Sequence, residues 1–306
     1  LAAARDGDRR ALAQLLTMVE RGGDHARAAA LAAQEHRGEG YTVGLTGAPG
    51  SGKSTLASAL VHVLRRDDRR VAVLAIDPSS PFSGGALLGD RIRMGDHDLD
   101  PGVFIRSMAT RGHLGGLALA VPEAVRLLTA AGFELVLLET VGVGQVEVEV
   151  AGTADTTVVV LNPGWGDRVQ ANKAGLMEIA DVFVVNKADR DGATKTRRDL
   201  AGLLKLRDDT DGWRPPVLAT VGTTGEGVEE LCVALAAHRT FLEASGQLAA
   251  RRRRRGRDEL RSVLVERLRS RAEAVLGAEG VAAVEAALDA GEIDPYTAAD
   301  RLLDGG

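Results

Sequence analysis

Apolar residues recur at two different periods along this chain. In the first forty residues Leu12, Leu15, Leu16 and Val19 stand at helical spacing; Gly22-Gly23-Asp24 interrupts, and Ala26–Gln34 resumes the helical pattern. From residue 41 the apolar residues instead form short unbroken runs: Tyr41–Thr46, Val71–Ile76, Gly102–Ile105, Leu135–Leu138, Thr157–Leu161, Val182–Val185 and Pro216–Ala219. Such runs, separated by helical stretches, fit strands buried on both faces of a mostly parallel sheet. Beyond residue 228 the pattern is helical to the end, with Leu260, Val263, Leu264 and Leu268, then Val281, Val284 and Leu288, at helical spacing. The pattern predicts an α/β domain over residues 40–240, flanked by an N-terminal helical extension (1–39) and a C-terminal one (241–306). Two C-terminal helices are too few to bury both apolar faces by themselves. They are expected to pack on the main domain or on a second copy of the chain, a symmetric homodimer being the commonest outcome.

Composition narrows the class. The chain has 306 residues, 45% hydrophobic and 26% charged, the balance of a soluble globular protein. No run of about eighteen apolar residues occurs, so neither a transmembrane helix nor a membrane partner is expected. Leu1–Asp8 lacks the apolar core of a secretory signal, and the missing initiator Met points to an absent short N-terminal piece. The one cysteine, Cys232, excludes an internal disulfide; it fits a cytoplasmic setting and is expected to pack in the core. A net charge of −5 argues against general nucleic-acid binding. The six histidines show no metal-ligand spacing. Arg251–Arg255 has no aromatic company and is followed by Asp258-Glu259, so a solvated or partner-facing helix surface is expected.

The chemistry begins at Gly47-Ala48-Pro49-Gly50-Ser51-Gly52-Lys53-Ser54, a full phosphate-binding loop of the form GxxxxGK[ST] between a strand and a helix that opens at Thr55. Its glycines let consecutive N–H groups face inward around phosphate oxygens, and the helix N-terminus adds to that field. Lys53 is expected to reach the β- and γ-phosphates, and Ser54 to ligate Mg²⁺. Asn186-Lys187-Ala188-Asp189 follows a late strand. There the Asp189 carboxylate would accept from guanine N1–H and N2–H₂, donors that adenine lacks, which selects GTP over ATP. Asn186 is expected to brace the loop and face the O6/N7 side of the base, with the Lys187 stem over the ring. Mg²⁺ takes oxygen ligands, and Asp77, Asp90 and Glu139 are the acids placed to supply or organise them. Glu139-Thr140-Val141-Gly142-Val143-Gly144-Gln145 reads as a switch segment, Gly142 offering its N–H to the γ-phosphate and Gln145 orienting water.

Beyond these motifs the chain resembles the MeaB/ArgK-type P-loop GTPases, G-protein chaperones of adenosylcobalamin-dependent methylmalonyl-CoA mutase. The resemblance is carried by Gly47–Thr55, by Ala75–Met94 with its segment DPSSPFSGGALLGDR, by Phe104–Gly116, Glu139–Gln145, Asn162–Gly175 and Asn186–Asp189. It implies a G domain of the signal-recognition and metal-chaperone class, with Asp77, Asp90 and Glu139 around Mg²⁺. It implies a loop at Asn162–Lys173 that couples nucleotide state to the mutase, with Asp167 and Lys173 its polar actors, and a role in coupling for Arg111 and His113. Lys53, Glu139, Gln145 and Lys173 make up the expected catalytic set. Val221-Gly222-Thr223 stands where the family closes over guanine with backbone groups, usually from a Ser-Ala pair, and Val146 replaces a common hydroxyl residue. The resemblance implies a Mg²⁺-dependent GTPase, expected as a homodimer, whose partner is a cobalamin-dependent acyl-CoA mutase. Rival readings are a nickel metallochaperone GTPase of the same class, a kinase or transport ATPase, and a module that holds GTP without hydrolysing it.

Overall fold

The computed structural model describes residues 1–78, 97, 99–110, 116–140, 152–164, 177–205 and 212–304. It divides into two compact units, Leu1–Arg255 and Gly256–Gly306. The first holds a seven-stranded parallel sheet of β1 (Tyr41–Thr46), β2 (Val71–Pro78), β3 (Val103–Thr110), β4 (Leu135–Thr140), β5 (Thr156–Leu161), β6 (Val182–Asn186) and β7 (Val217–Thr220). Their order is β3-β2-β4-β1-β5-β6-β7, which puts β1 at the centre with β4 on one side and β5 on the other. Several strands run further than their apolar runs. Asp77 and Glu139 therefore lie within β2 and β4, because ladder pairing continues past the last apolar residue.

Alternate strand residues point to opposite faces, and the helices sort accordingly. Ala72, Leu74, Ile76, Val136 and Leu138 pack with α2 (Arg9–Arg21), α3 (Gly23–Glu35) and α5 (Gly116–Ala130), behind the single turn α1 (Ala2–Arg5). Val43, Leu45, Val71, Val73, Leu137, Val158 and Val184 pack with α4 (Lys53–Arg66) and α7 (Val228–Ala244). A third cluster joins Val159, Leu161 and Phe183 to α6 (Ala193–Leu204). Asp8 caps α2 by accepting from the N–H groups of Arg10 (2.8 Å) and Ala11 (3.0 Å). Arg106 of β3 then ties α2 to the sheet by donating to Ala13 O and Thr17 Oγ1, 3.0 Å each, and to Glu20. Cys232 is half-buried against the second cluster, and burial pushes its thiol up to about 11, which fits packing rather than reactivity.

The helix α8 (Gln247–Asp289) begins in the first unit, is kinked at Gly277 (φ 67°, ψ 172°), and is followed by α9 (Pro295–Asp304). Its arginines correct the expectation of a solvated surface. Arg251 grips both oxygens of Asp181 (2.9 and 3.0 Å), Arg252 grips both oxygens of Asp155 (2.7 and 3.1 Å), and Arg255 also pairs with Asp155. Only Arg253 and Arg254 of that run are exposed. The reason lies far away in sequence, at buried aspartates just ahead of β5 and β6 that need cationic partners. Beside them Tyr41 OH, Thr156 Oγ1 and His238 Nδ1 form a chain with links of 2.6 and 2.7 Å, and His238 Nε2 faces Asp181 at 3.4 Å. Burial pushes His238 down to about 4, so the ring is neutral at pH 7.

Burial would raise the Asp155 carboxyl, but the hydrogen bond from Arg252 and the charges of Arg255 and Arg252 outweigh it, and its pKa lies below the ordinary value. A depressed acid stabilises fully above its unfolded-state value of about 4 and loses that contribution as pH falls through the folded-state value. Asp155→Asn is therefore expected to cost about 3–5 kcal/mol at pH 7, since it leaves Arg252 and Arg255 on a neutral amide. Urea unfolding of both proteins at pH 7 and pH 3 measures this. The gap narrows in acid if the ion pairs are its origin, and a gap independent of pH refutes that origin.

Candidate nucleotide site

The site is assembled at the carboxyl ends of β1, β4 and β6, the crevice where ligands of such sheets bind. After β1 the chain turns sharply through Gly47 (φ 134°) and Gly52 (φ 91°) into α4. A Cβ on Gly47 would stand 2.1 Å from Val160 O, and one on Gly52 would stand 2.4 Å from Asn186 Nδ2, so no larger residue fits either place. Lys53, the first residue of α4, is buried and donates from Nζ to the carbonyls of Gly47 (2.5 Å) and Ala48 (3.2 Å). Its ammonium is thus held inside the loop that would receive phosphate.

Glu139 of β4 stands opposite Leu45 of β1 and Ala75 of β2, and its carboxylate accepts from the Ser54 hydroxyl. The glutamate is 2% exposed. A buried carboxylate beside a hydroxyl, at the mouth of a phosphate loop, is an all-oxygen donor set that suits a hard divalent cation such as Mg²⁺. Asp77 lies in β2 opposite Ala109 of β3, two residues beyond the rung that Glu139 shares with Ala75.

On the other side of β1 the base loop is fixed by Asn186, the last residue of β6. Its Nδ2 donates to Ser51 O (2.9 Å) and makes a longer contact to Gly52 O (3.4 Å). Its Oδ1 accepts from Thr220 Oγ1 and from the Gly222 N–H, each at 3.1 Å. One buried amide thereby joins the phosphate loop, β7 and the turn after β7. Lys187 takes a left-handed conformation (φ 58°) and donates from Nζ to Gly50 O at 2.7 Å, so its stem runs from the base loop to the phosphate loop. The Ala188 N–H donates to Thr220 O (3.0 Å), and a bridge between Val221 and Glu226 closes the turn that contains Gly222 and Thr223. Asp189 is exposed at the lip of this arrangement.

The phosphate loop, Glu139, Asn186–Asp189 and the 221–223 turn are thus brought to one end of the sheet. Asp90, Arg111, His113, Gly142, Gln145, Val146, Asp167 and Lys173 lie outside the described residues, as does the side chain of Asp77. Sequence reasoning missed Thr220, whose hydroxyl completes the Asn186 cluster. It also missed Asp155 and Asp181, although each follows an alanine and directly precedes an apolar strand, in Ala154-Asp155-Thr156 and Ala180-Asp181-Val182.

Among the described residues no helix is long and apolar enough to cross a membrane. The family described as methylmalonyl-CoA mutase-associated GTPase MeaB matches residues 12–276. A protein of Pyrococcus horikoshii described as a GTPase is 50% identical over 98% of this chain and 95% of its own length. A mouse protein named methylmalonic aciduria type A homolog, mitochondrial, is 36% identical over 97% of this chain and 76% of its own. A solved structure described as an LAO/AO transport system kinase is 30% identical, with a TM-score of 0.71 and coverage of 98% of this chain and 93% of that one. The matched stretch takes in the whole of the nucleotide end, and the chain belongs to the MeaB family of P-loop GTPases.

Proposed function

We propose that this GTPase is the timing element of a chaperone for a cobalamin-dependent acyl-CoA mutase of the methylmalonyl-CoA type. Its cycle gates delivery of adenosylcobalamin and release of damaged cofactor. The nucleotide half of this reading is carried by one observation, the Asn186 amide that ties the phosphate loop to the base loop. The mutase half is supported by relatives: the family description attaches its members to methylmalonyl-CoA mutase, and the mouse relative is named for methylmalonic aciduria.

In hydrolysis the oxygen of a water attacks the γ-phosphorus and the bond to the β–γ bridging oxygen breaks, giving GDP and inorganic phosphate. Inward N–H groups of the loop and the Lys53 ammonium hold the β- and γ-phosphates, while Asp189 holds the guanine edge. Ser54 and Glu139 would hold Mg²⁺, joined by Asp77 and Asp90; the ion supplies charge neutralisation at the β- and γ-oxygens. We assign Gly142 to γ-phosphate sensing, Gln145 to water orientation and Lys173 to the loop that faces the mutase. Intrinsic hydrolysis is slow in this reading, because no arginine finger is assigned within the chain.

We further propose that the chain works as a homodimer joined through its C-terminal extension. Leu260, Leu264 and Leu268 recur every fourth residue of α8, and all are exposed together with Val265. A stripe of that kind is what a second copy would cover.

Three outcomes are expected. Asp189→Asn weakens GTP by about 10- to 100-fold and favours xanthosine triphosphate, whose ring carries a carbonyl where guanine carries its amino group; a competition assay with an unchanged preference would sink the base assignment. Adding a methylmalonyl-CoA-type mutase raises the hydrolysis rate, and equal rates with and without it remove the coupling. Leu264→Glu halves the mass found by light scattering, whereas an unchanged dimer mass places the interface elsewhere.

A further inference from the structure

The strands β1, β5 and β6 are fastened at both ends. At the carboxyl ends Asn186 of β6 reaches past β5 to Ser51 O in the loop after β1, at 2.9 Å. At the amino ends Arg252 joins Gly40 O, just ahead of β1 (2.9 Å), to Asp155, just ahead of β5 (2.7 Å). Arg251 joins Asp155 O (3.1 Å) to Asp181, just ahead of β6 (2.9 Å). Each aspartate also grips the neighbouring strand: Asp155 accepts from the Thr42 N–H (3.0 Å) and Asp181 from the Thr157 N–H (2.9 Å). Arg255 adds Thr153 O and Asp155 to the same strap. Between these fastenings the β1–β5 and β5–β6 ladders pair only four residues each.

Buried side chains fix the register of these strands, and the end fastenings further restrain any slide of β6 along β1, and with it the offset between the two. That offset decides whether Asn186 meets Ser51, and hence whether the phosphate loop and the base loop stand one nucleotide apart. A bound nucleotide spans both loops and opposes the same slide from the opposite end of the strands.

We propose that the three arginines at the start of α8 form a strap whose docking on Asp155 and Asp181 and the binding of guanine nucleotide stabilise one another through β1, β5 and β6. The inference rests on nucleotide binding at Gly47–Ser54 and Asn186–Asp189 and goes beyond it, since it gives residues 247–255 a regulatory role at the far end of the sheet. Such coupling is reciprocal: whatever factor the strap contributes to nucleotide affinity, nucleotide returns to the strap. A purely structural tie would lack this reciprocity.

Hydrogen exchange of the full chain, with and without GDP, tests it. GDP is expected to protect residues 47–54 and 186–189 directly and to slow exchange in residues 247–255 by about fivefold or more. Protection at the two loops with unchanged exchange at 247–255 overturns the proposal; no protection at the loops overturns the nucleotide reading beneath it. A second arm uses Arg251→Lys, which keeps the charge but cannot span both oxygens of Asp181. It is expected to bind GDP about fivefold or more weakly and to show less GDP-induced protection at 247–255. Wild-type GDP affinity in the folded variant overturns the strap.

Discussion

The buried amide of Asn186 fixes the distance between the two halves of the nucleotide site. The phosphate loop follows β1 and the base loop follows β6, with β5 between them. A nucleotide has a set length, so loops that drift apart must be drawn together again on each binding event, at a cost in affinity. Asn186 removes that freedom with donors turned to Ser51 and Gly52 and an acceptor turned to Thr220 and Gly222. It also explains part of the glycine pattern. Gly52 is bare because Asn186 Nδ2 occupies the space of a side chain, and a Cβ on Gly222 would stand 3.5 Å from Asn186 Oδ1 and 3.3 Å from Leu56 N.

Strand order divides the chemistry around that constraint. β4 lies on one side of β1 and brings Glu139 to Ser54; β5 and β6 lie on the other and bring Asn186 to Ser51. The phosphate loop is therefore held from its metal side and from its base side by different strands. Lys53 and Lys187 donate to carbonyls of the same loop, at Gly47, Ala48 and Gly50. Their charges occupy the surroundings of the phosphates before any phosphate arrives, which is electrostatic preorganisation.

Much of this was legible in the sequence for a plain reason. Strands buried on both faces are mostly apolar, so β1, β2, β4, β5 and β6 stand out, and the GxxxxGK[ST] and Asn-Lys-x-Asp spacings are local in sequence. Helical periodicity likewise marks α2 through Leu12, Leu16 and Val19, all buried. What escaped is non-local. Thr220 matters only because Asn186, 34 residues earlier, needs a donor. Asp77 and Glu139 extend their strands because pairing partners lie on β3, β1 and β2, and no apolar count along one strand contains that information.

The arginine run shows the same limit and also why arginine is the residue used. Locally it is a cluster of like charges beside Asp258 and Glu259, which is how a solvated helix face reads. In space, three guanidinium groups meet the carboxylates of Asp155 and Asp181. They also reach carbonyl oxygens, those of Gly40, Thr153 and Asp155, each accepting from an arginine that also donates to a carboxylate. A lysine ammonium is a compact point charge and cannot reproduce the two-pronged grip of a planar fork on a carboxylate. The strap depends on that fork, because each arginine must touch two chain segments at once to hold the strand starts together. Charge alone would stabilise the aspartates; the shape of the guanidinium adds cross-strand contacts to those the aspartates make themselves with the Thr42 and Thr157 N–H groups.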